Sequence, residues 1–421
     1  RWVISVKSWI STVRGSWTKP VPDARMSRWL FLRALAIVTF LAFLSLNRQL
    51  LGLIGQDGIL PIAQALGNAS VGSSWEGFWK FPTLVWWFSS DTALLAISWA
   101  GMAVSVLLFL DVFPRGSLLV LWFLYLSLFL AGRLFTSYQW DLLLTEVLFA
   151  SVFFAPVTLL PGAAREGPTR CSRFLLTLIL FKLMFLGGLV KLLGGDPTWW
   201  SLTALDYHFW TQPLPNPLAW WVDKFPSILL SVGVVLTLVV ELIAPFFLFL
   251  GRQWRTGAAL AVVGFQAVVA ATGNYGIFNL LSAVLCLVVL DDSVLEGWVS
   301  PYRTVSWEFD FMPSILKRGR SVWAKGFEGL FVVVLVVLNL FVFLQSMGIP
   351  VNYEPVRSIR SVTSPFRTVN SYGLFANMTT KRREIIVQGS NDGSNWRSYR
   401  FPYKPDDPNQ APPVLAPHMP R

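Results

Sequence analysis

Two lysines stand inside one apolar run, FLLTLILFKLMFLGGLVKLL (174–193), at positions 182 and 191. A charge in such a run is costly in lipid, so residues of this kind face a bundle interior, pair, or mark a functional site. Nine residues apart on an α-helix, Lys182 and Lys191 lie on nearly opposite faces and cannot form one polar seam. Lys191 follows Gly187 and Gly188 by about one turn, so its face can approach a neighbouring helix closely. It admits two roles: an amine snorkelling to the membrane interface, or a desolvated amine of lowered pKa acting as a base or holding an anionic group. Lys182, nearer the middle of the run, calls for an ion pair with Glu146 or Glu241. The run breaks at GGDP (194–197) into TWWSLTALDYHFWTQPLPNP (198–217). This loop carries Asp196, Trp199, Trp200, Asp206, Tyr207 and His208. His208, one of two histidines in the chain, is either structural or, beside Asp206 and Tyr207, a group titrating near neutral pH. The prolines at 213, 215 and 217 fix an extended, rigid path suited to presenting aromatic side chains to a protein or a lipid chain.

Other polar residues share this setting. GRLFTSYQWDLLLTE (132–146) places Arg133, Asp141 and Glu146 at or inside a membrane boundary. Asp141 and Glu146, five residues apart, point about 140° away from each other on a helix. Either Arg133 pairs with one of them and locks two helices, or the acids form a proton relay or substrate contact. Glu241 sits with Pro245 in a later apolar run. Asn274, Tyr275 and Asn279 surround the turn TGNYG, where buried amides bond between helices or contact a ligand.

These residues need a helical bundle to position them. The chain of 421 residues is 54% hydrophobic and only 14% charged, with a mean hydropathy of +0.56. Soluble domains carry about 25% charge. Nine spans are expected: 29–46, 92–110, 117–135, 140–160, 174–193, 228–250, 254–272, 274–290 and 326–347. The 21 Trp suit interfacial belts. The segment 47–91 is longer than a turn and reads as a membrane-surface loop anchored by Trp, or as a lid. With the N-terminus inside, 17 Lys and Arg fall on inside segments, and only Arg48, Lys80 and Lys224 on outside loops. That asymmetry predicts a cytoplasmic tail (1–28), a transmembrane domain (29–347), and an extracytoplasmic position for the 196–226 loop and residues 348–421. It also accounts for the net charge of +11 without nucleic acid. The absence of an initiator Met or cleavable leader suggests a start inside a longer chain.

From Val351 the composition turns polar and β-prone. Tyr372–Met378, Glu384–Gln388 and WRSYRF (396–401) read as strands, with Asp392-Gly393 as a hairpin turn. A β-sandwich-like soluble module is expected over 348–421, itself incomplete. Its Lys381-Arg382-Arg383 run reads as a solvated face. Cys171, expected in a cytoplasmic loop, and Cys286, in a helix, should not bridge. There is no Cys-x-x-Cys for thiol exchange, and no zinc, Walker or Ser-His-Asp pattern. Sequons stand at Asn68 and Asn377.

GLVKLLGGDPTWWSLTALDYHFWTQPLPNPLAWW (188–221) closely resembles the signature of the lipase maturation factor family. So do YQWDLLLTE (138–146), ELIAPFFLFLGR (241–252), GNYGIFNLLS…LDD (273–292) and VNSYGLFANMTTKRREIIVQGSNDGSNWRSYRFPYKPDDPN (369–409). The resemblance implies a membrane protein of the endoplasmic reticulum, or of the inner membrane in bacterial relatives, that helps secreted homodimeric lipases fold and assemble. Its partners would be a secreted client such as a lipase, and membrane lipid. The segment GLVKL…GDPTW is also similar to part of the membrane domain of vitamin K-dependent γ-carboxylases, with one residue more between Lys191 and Asp196. That similarity implies a lipid- or quinone-dependent enzyme with Lys191 as general base and Asp196 and Trp199 beside it; His208, next to that motif, is a further catalytic candidate on its own chemistry. A non-enzymatic maturation factor is the preferred expectation.

Overall fold

The computed structural model describes residues 19–67, 74–161, 166–299 and 322–421, apart from 352, 402, 403, 406 and 408. The N-terminal tail to residue 18, the sequon at Asn68, Arg165 and the basic run at 317–320 lie outside the described residues. Among the described residues seven helices are long and apolar enough to cross a membrane. Six of the nine expected spans appear at nearly the expected places, as helices α1 (Arg25–Asn47), α2 (Asp91–Phe109), α3 (Pro114–Gly132), α5 (Arg170–Leu193), α8 (Arg252–Ala271) and α10 (Val322–Ser346). A seventh, α7 (Ser227–Leu242), is followed by a second short helix, Ala244–Phe247, in which Pro245 occupies the first turn.

The other two expected spans are shorter. Helix α4 (Gln139–Phe154) stops before Pro156, because the preceding residue, Ala155, is driven to an extended conformation (ψ 148°). Its 16 residues reach about 24 Å, less than a bilayer core. Helix α9 (Phe278–Cys286) begins only after the turn at Gly276 (φ +56°) and tightens into a 3-10 turn at Leu287–Val289. Both pack inside the bundle.

Helix α5 is the centre. Of its most apolar window 78% is buried, against 17% for α7 and 22% for α8. It packs against α4, α7, α9 and α10, while α1, α2, α3 and α4 pack in sequence beside it. Thr169 caps its start, accepting from the Ser172 N–H at 3.2 Å. The start of α1 is capped from elsewhere: the Asp292 carboxylate accepts the N–H groups of Arg25 (2.8 Å) and Ser27 (3.0 Å), where anionic charge suits the helix dipole. At the same end Asp291 binds both Arg173 (2.9 Å) and Arg255 (2.6 Å). Arg173 also donates to the carbonyls of Val288, Val289 and Leu290. Arg115 forks onto Glu328. This is the basic end. The described residues of the segment 47–91 form short helices and a turn pinned to α3 by Thr83 Oγ1 donating to the Ser127 carbonyl, with Trp75 and Trp79 exposed.

Among the described residues the C-terminal segment shows one small sheet, so the expected β-sandwich is not confirmed. Two two-residue strands, β1 (Gln388–Gly389) and β2 (Arg397–Ser398), pair antiparallel around the expected Asp392-Gly393 turn. Tyr372–Met378, expected as a strand, is irregular: Tyr372 is buried, and Leu374 and Phe375 pack on the core cluster. Its apolar alternation reflects insertion into the bundle rather than a sheet. Amphipathic helix α11 (Glu354–Thr363) precedes it. Cys171 lies within α5, not in a loop; both cysteines are buried and free.

Candidate functional site

Lys191 and Glu241 meet because Gly188 lets α5 and α7 touch. A Cβ built on Gly188 would lie 2.8 Å from Leu242 Cγ and 2.9 Å from Glu241 Cβ. Lys191 sits in the last turn of α5, where a cation suits the helix dipole; Glu241 sits in the last turn of α7, where an anion does not. Each therefore needs the other. Lys191 Nζ donates to both Glu241 oxygens (2.9 and 2.7 Å) and to the Gly187 carbonyl (2.9 Å), with the Trp199 ring 5.3 Å away. Its three donors are spent on this buried pair, so the amine does not snorkel. A general base needs a free lone pair facing a substrate, and this geometry lends the Lys191 base reading no support.

Lys182 faces the other way, as its spacing requires. Its Nζ donates to Glu146 Oε1 (2.7 Å) and to Asn339 Oδ1 of α10 (2.6 Å). The second Glu146 oxygen accepts the backbone N–H of Asn370 (3.0 Å) and the Tyr372 hydroxyl. Lys182 and Glu146 are fully buried. The expected choice between Glu146 and Glu241 thus resolves one acid to each lysine. Arg133 pairs with neither Asp141 nor Glu146: the helix turns at that residue (φ 49°) and leaves its side chain exposed. Asp141 instead accepts a fork from Arg421 (2.7 and 2.7 Å) and the Tyr125 hydroxyl. Neither Asn339, Tyr372 nor Arg421 was singled out in the sequence. The only signal for them is that two acids in an apolar setting must have partners.

Above Lys191 the chain folds into a cap. Asp196 accepts the Thr198 N–H and hydroxyl (both 2.8 Å) and the backbone N–H of Met378. Burial alone would raise its pKa; these donors outweigh burial and hold the carboxyl below its usual range. Trp199 is buried and donates to the Phe375 carbonyl at 3.0 Å, whereas Trp200 is exposed. In helix α6 (Ala204–Thr211) His208 lies edge-on to Phe375, 4.9 Å between centroids, and its Nε2 is 3.0 Å from the Tyr275 hydroxyl. That hydroxyl donates to Gln212 Oε1 (2.7 Å), so the imidazole Nε2 is the donor to it. Burial, then the Lys191 ammonium, pushes His208 down to about 4, so it is a neutral fixture at physiological pH. Asp206 and Tyr207 are half-buried, and among the described residues neither bonds to it.

Asn274 does not bond between helices. It donates to the carbonyls of Pro215 (3.2 Å) and Pro413 (3.1 Å) and accepts the N–H groups of Leu415 (2.9 Å) and Ala416 (3.2 Å). It joins the proline loop to the C-terminal segment. Asn279 does bond between helices, to Gln266 at 2.7 Å. Arg382, expected as a solvated charge, donates to the carbonyls of Trp210 (3.0 Å) and Gln212 (2.7 Å).

A bundle with paired internal charges, closed at one end by a loop and a returning C-terminal segment, defines a polytopic helical membrane protein with a structured extramembrane cap. Residues 26–297 match the lipase maturation factor transmembrane domain, and residues 368–421 match the lipase maturation factor C-terminal domain. Lipase maturation factor 2 of Rattus norvegicus is 32% identical over 95% of this chain and 71% of its own length. Lipase maturation factor 2 of Homo sapiens is 32% identical over 94% and 71%, and lipase maturation factor 1 of Bos taurus 31% over 93% and 73%. The chain belongs to the lipase maturation factor family. No solved structure matches it.

Proposed function

We propose that this protein assists the folding of a secreted lipase, binding it on the surface that the cap loop and the C-terminal residues build together. One observation carries the reading: Asp196, Trp199, Asn274 and Arg382 tie residues 196–217 to the described residues of 369–416 at one end of the bundle. The helices beneath it hold Lys182 and Lys191 in closed pairs, as a scaffold does. On this reading the basic end and the tail at 1–28 face the cytoplasm. The cap and residues 348–421 face the lumen of the endoplasmic reticulum, or the periplasm of a bacterial host. The relatives from rat, human and cattle favour the endoplasmic reticulum membrane.

The hairpin offers client contacts that the fold itself does not use. Ile385 (80% exposed), Ile386, Trp396 and Tyr399 all project from it. Large apolar groups so exposed mark interaction surfaces. The combined variant Ile385→Ser, Ile386→Ser, Trp396→Ser is expected to lower secreted lipase activity about tenfold or more in cells lacking their own maturation factor, since such anchors dominate binding. Its level and membrane insertion should match the unsubstituted protein. Undiminished lipase secretion would remove the hairpin from the client surface.

A further inference from the structure

We propose that helix α11 lies in the bilayer surface, its apolar flank in lipid and its polar flank among headgroups, as an anchor additional to the spans. The helix starts eight residues after α10 ends at Ser346. Buried Val356 clusters with Leu338 and Phe341 of α10. Arg360 bonds to Gln345 and lies 5.9 Å from the Phe341 ring. One side of α11 is thus tied beside the last turns of a membrane span. At about 100° per residue, the sector next to buried Val356 holds Ile359, Pro355 and Val362, all exposed; Val362 is 68% accessible. The far sector is polar: it holds Arg357, paired with Glu354 at 2.8 Å, together with Ser358 and Ser361.

A short amphipathic helix with an exposed apolar flank and arginines fits the boundary between headgroups and acyl chains. The occupant follows from continuity. The flank extends the lipid-facing surface of α10, which exposes Val333, Val337 and Leu340, and Ile349 and Tyr353 on the connection are exposed too. Directly after α11, Phe366 packs on Trp79 at 6.2 Å. Trp79, with neighbouring Trp75, is an exposed ring of the kind that sits at headgroup level. The placement holds for either orientation of the bundle, so it stands independently of the client reading.

Single cysteines at Ile359, Val362, Ser358 and Ser361 of the full chain, labelled with bimane, test it in phosphatidylcholine–phosphatidylglycerol vesicles containing acyl-chain doxyl lipid. The two native thiols are buried, and the unsubstituted protein supplies the background. Quenching at Ile359→Cys and Val362→Cys should exceed that at Ser358→Cys and Ser361→Cys by roughly twofold or more, as a helix lying in the interface requires. Equal quenching on both flanks would overturn the proposal. So would an apolar flank protected from a water-soluble thiol reagent yet unquenched, which would mean that protein rather than lipid covers it.

Discussion

Glu146 shows how a buried charge becomes tolerable. One oxygen takes the Lys182 ammonium, and the other takes the Asn370 N–H and the Tyr372 hydroxyl. Every lone pair that matters is answered, as a desolvated pair demands. Removing only the cation leaves an uncompensated buried carboxylate, so Lys182→Met should lower stability by about 3–5 kcal/mol. Adding Glu146→Gln should recover much of that loss. Thermal unfolding in detergent measures both, and a Lys182→Met protein that melts with the unsubstituted one would sink the argument. That Lys182 needed an acid was legible from its place in an apolar run. That Asn339 and Tyr372 complete the set was not, because amides and phenols in helices and loops carry no signal of what they will face.

At the scale of elements, the contact between α5 and α7 depends on one missing methyl. Gly188→Ala places a carbon within 2.9 Å of Leu242 and Glu241, and overpacking of this kind costs about 1–3 kcal/mol. Gly187→Ala would come no closer than 3.6 Å to any neighbour, that one being Glu241 Oε1, an ordinary contact. The expectation is a lower melting midpoint for Gly188→Ala and little change for Gly187→Ala. Lys191→Met should add less to Gly188→Ala than it costs alone, because both act on the same pair. Equal effects of the two glycine variants would mean that the helices do not rely on this approach. The glycine pair and its distance from Lys191 were readable in the sequence. The lengths of α4 and α9 were not, since hydropathy continues past Ala155-Pro156 and through Asn274–Gly276, where the backbone cannot stay helical.

Over the whole molecule, the C-terminal residues are part of the bundle. Arg421 forks onto Asp141, His418 and Met419 bond Ser45, and Gln49 holds Met419 and Arg421. The cap and this segment therefore share one end of the bundle, and the proposed orientation makes that end lumenal. In eukaryotic microsomes, an Asn68→Gln chain should then carry a glycan on exposed Asn377, removed by peptide N-glycosidase and lost in Asn68→Gln, Asn377→Gln. An unshifted band with the cap accessible to cytoplasmic protease would reverse the topology. The sequence by itself determined a helical membrane protein, its central charged helix, its aromatic cap and its family, because hydropathy, charge sorting and local motifs are properties of contiguous residues. Only the tertiary structure decided that each buried lysine has its own acid, that Asp141 answers to Arg421 rather than Arg133, and that the supposed β module is stitched into the cap. Those pairings join residues up to 280 positions apart, and desolvation chooses among such partners only once the helices have packed.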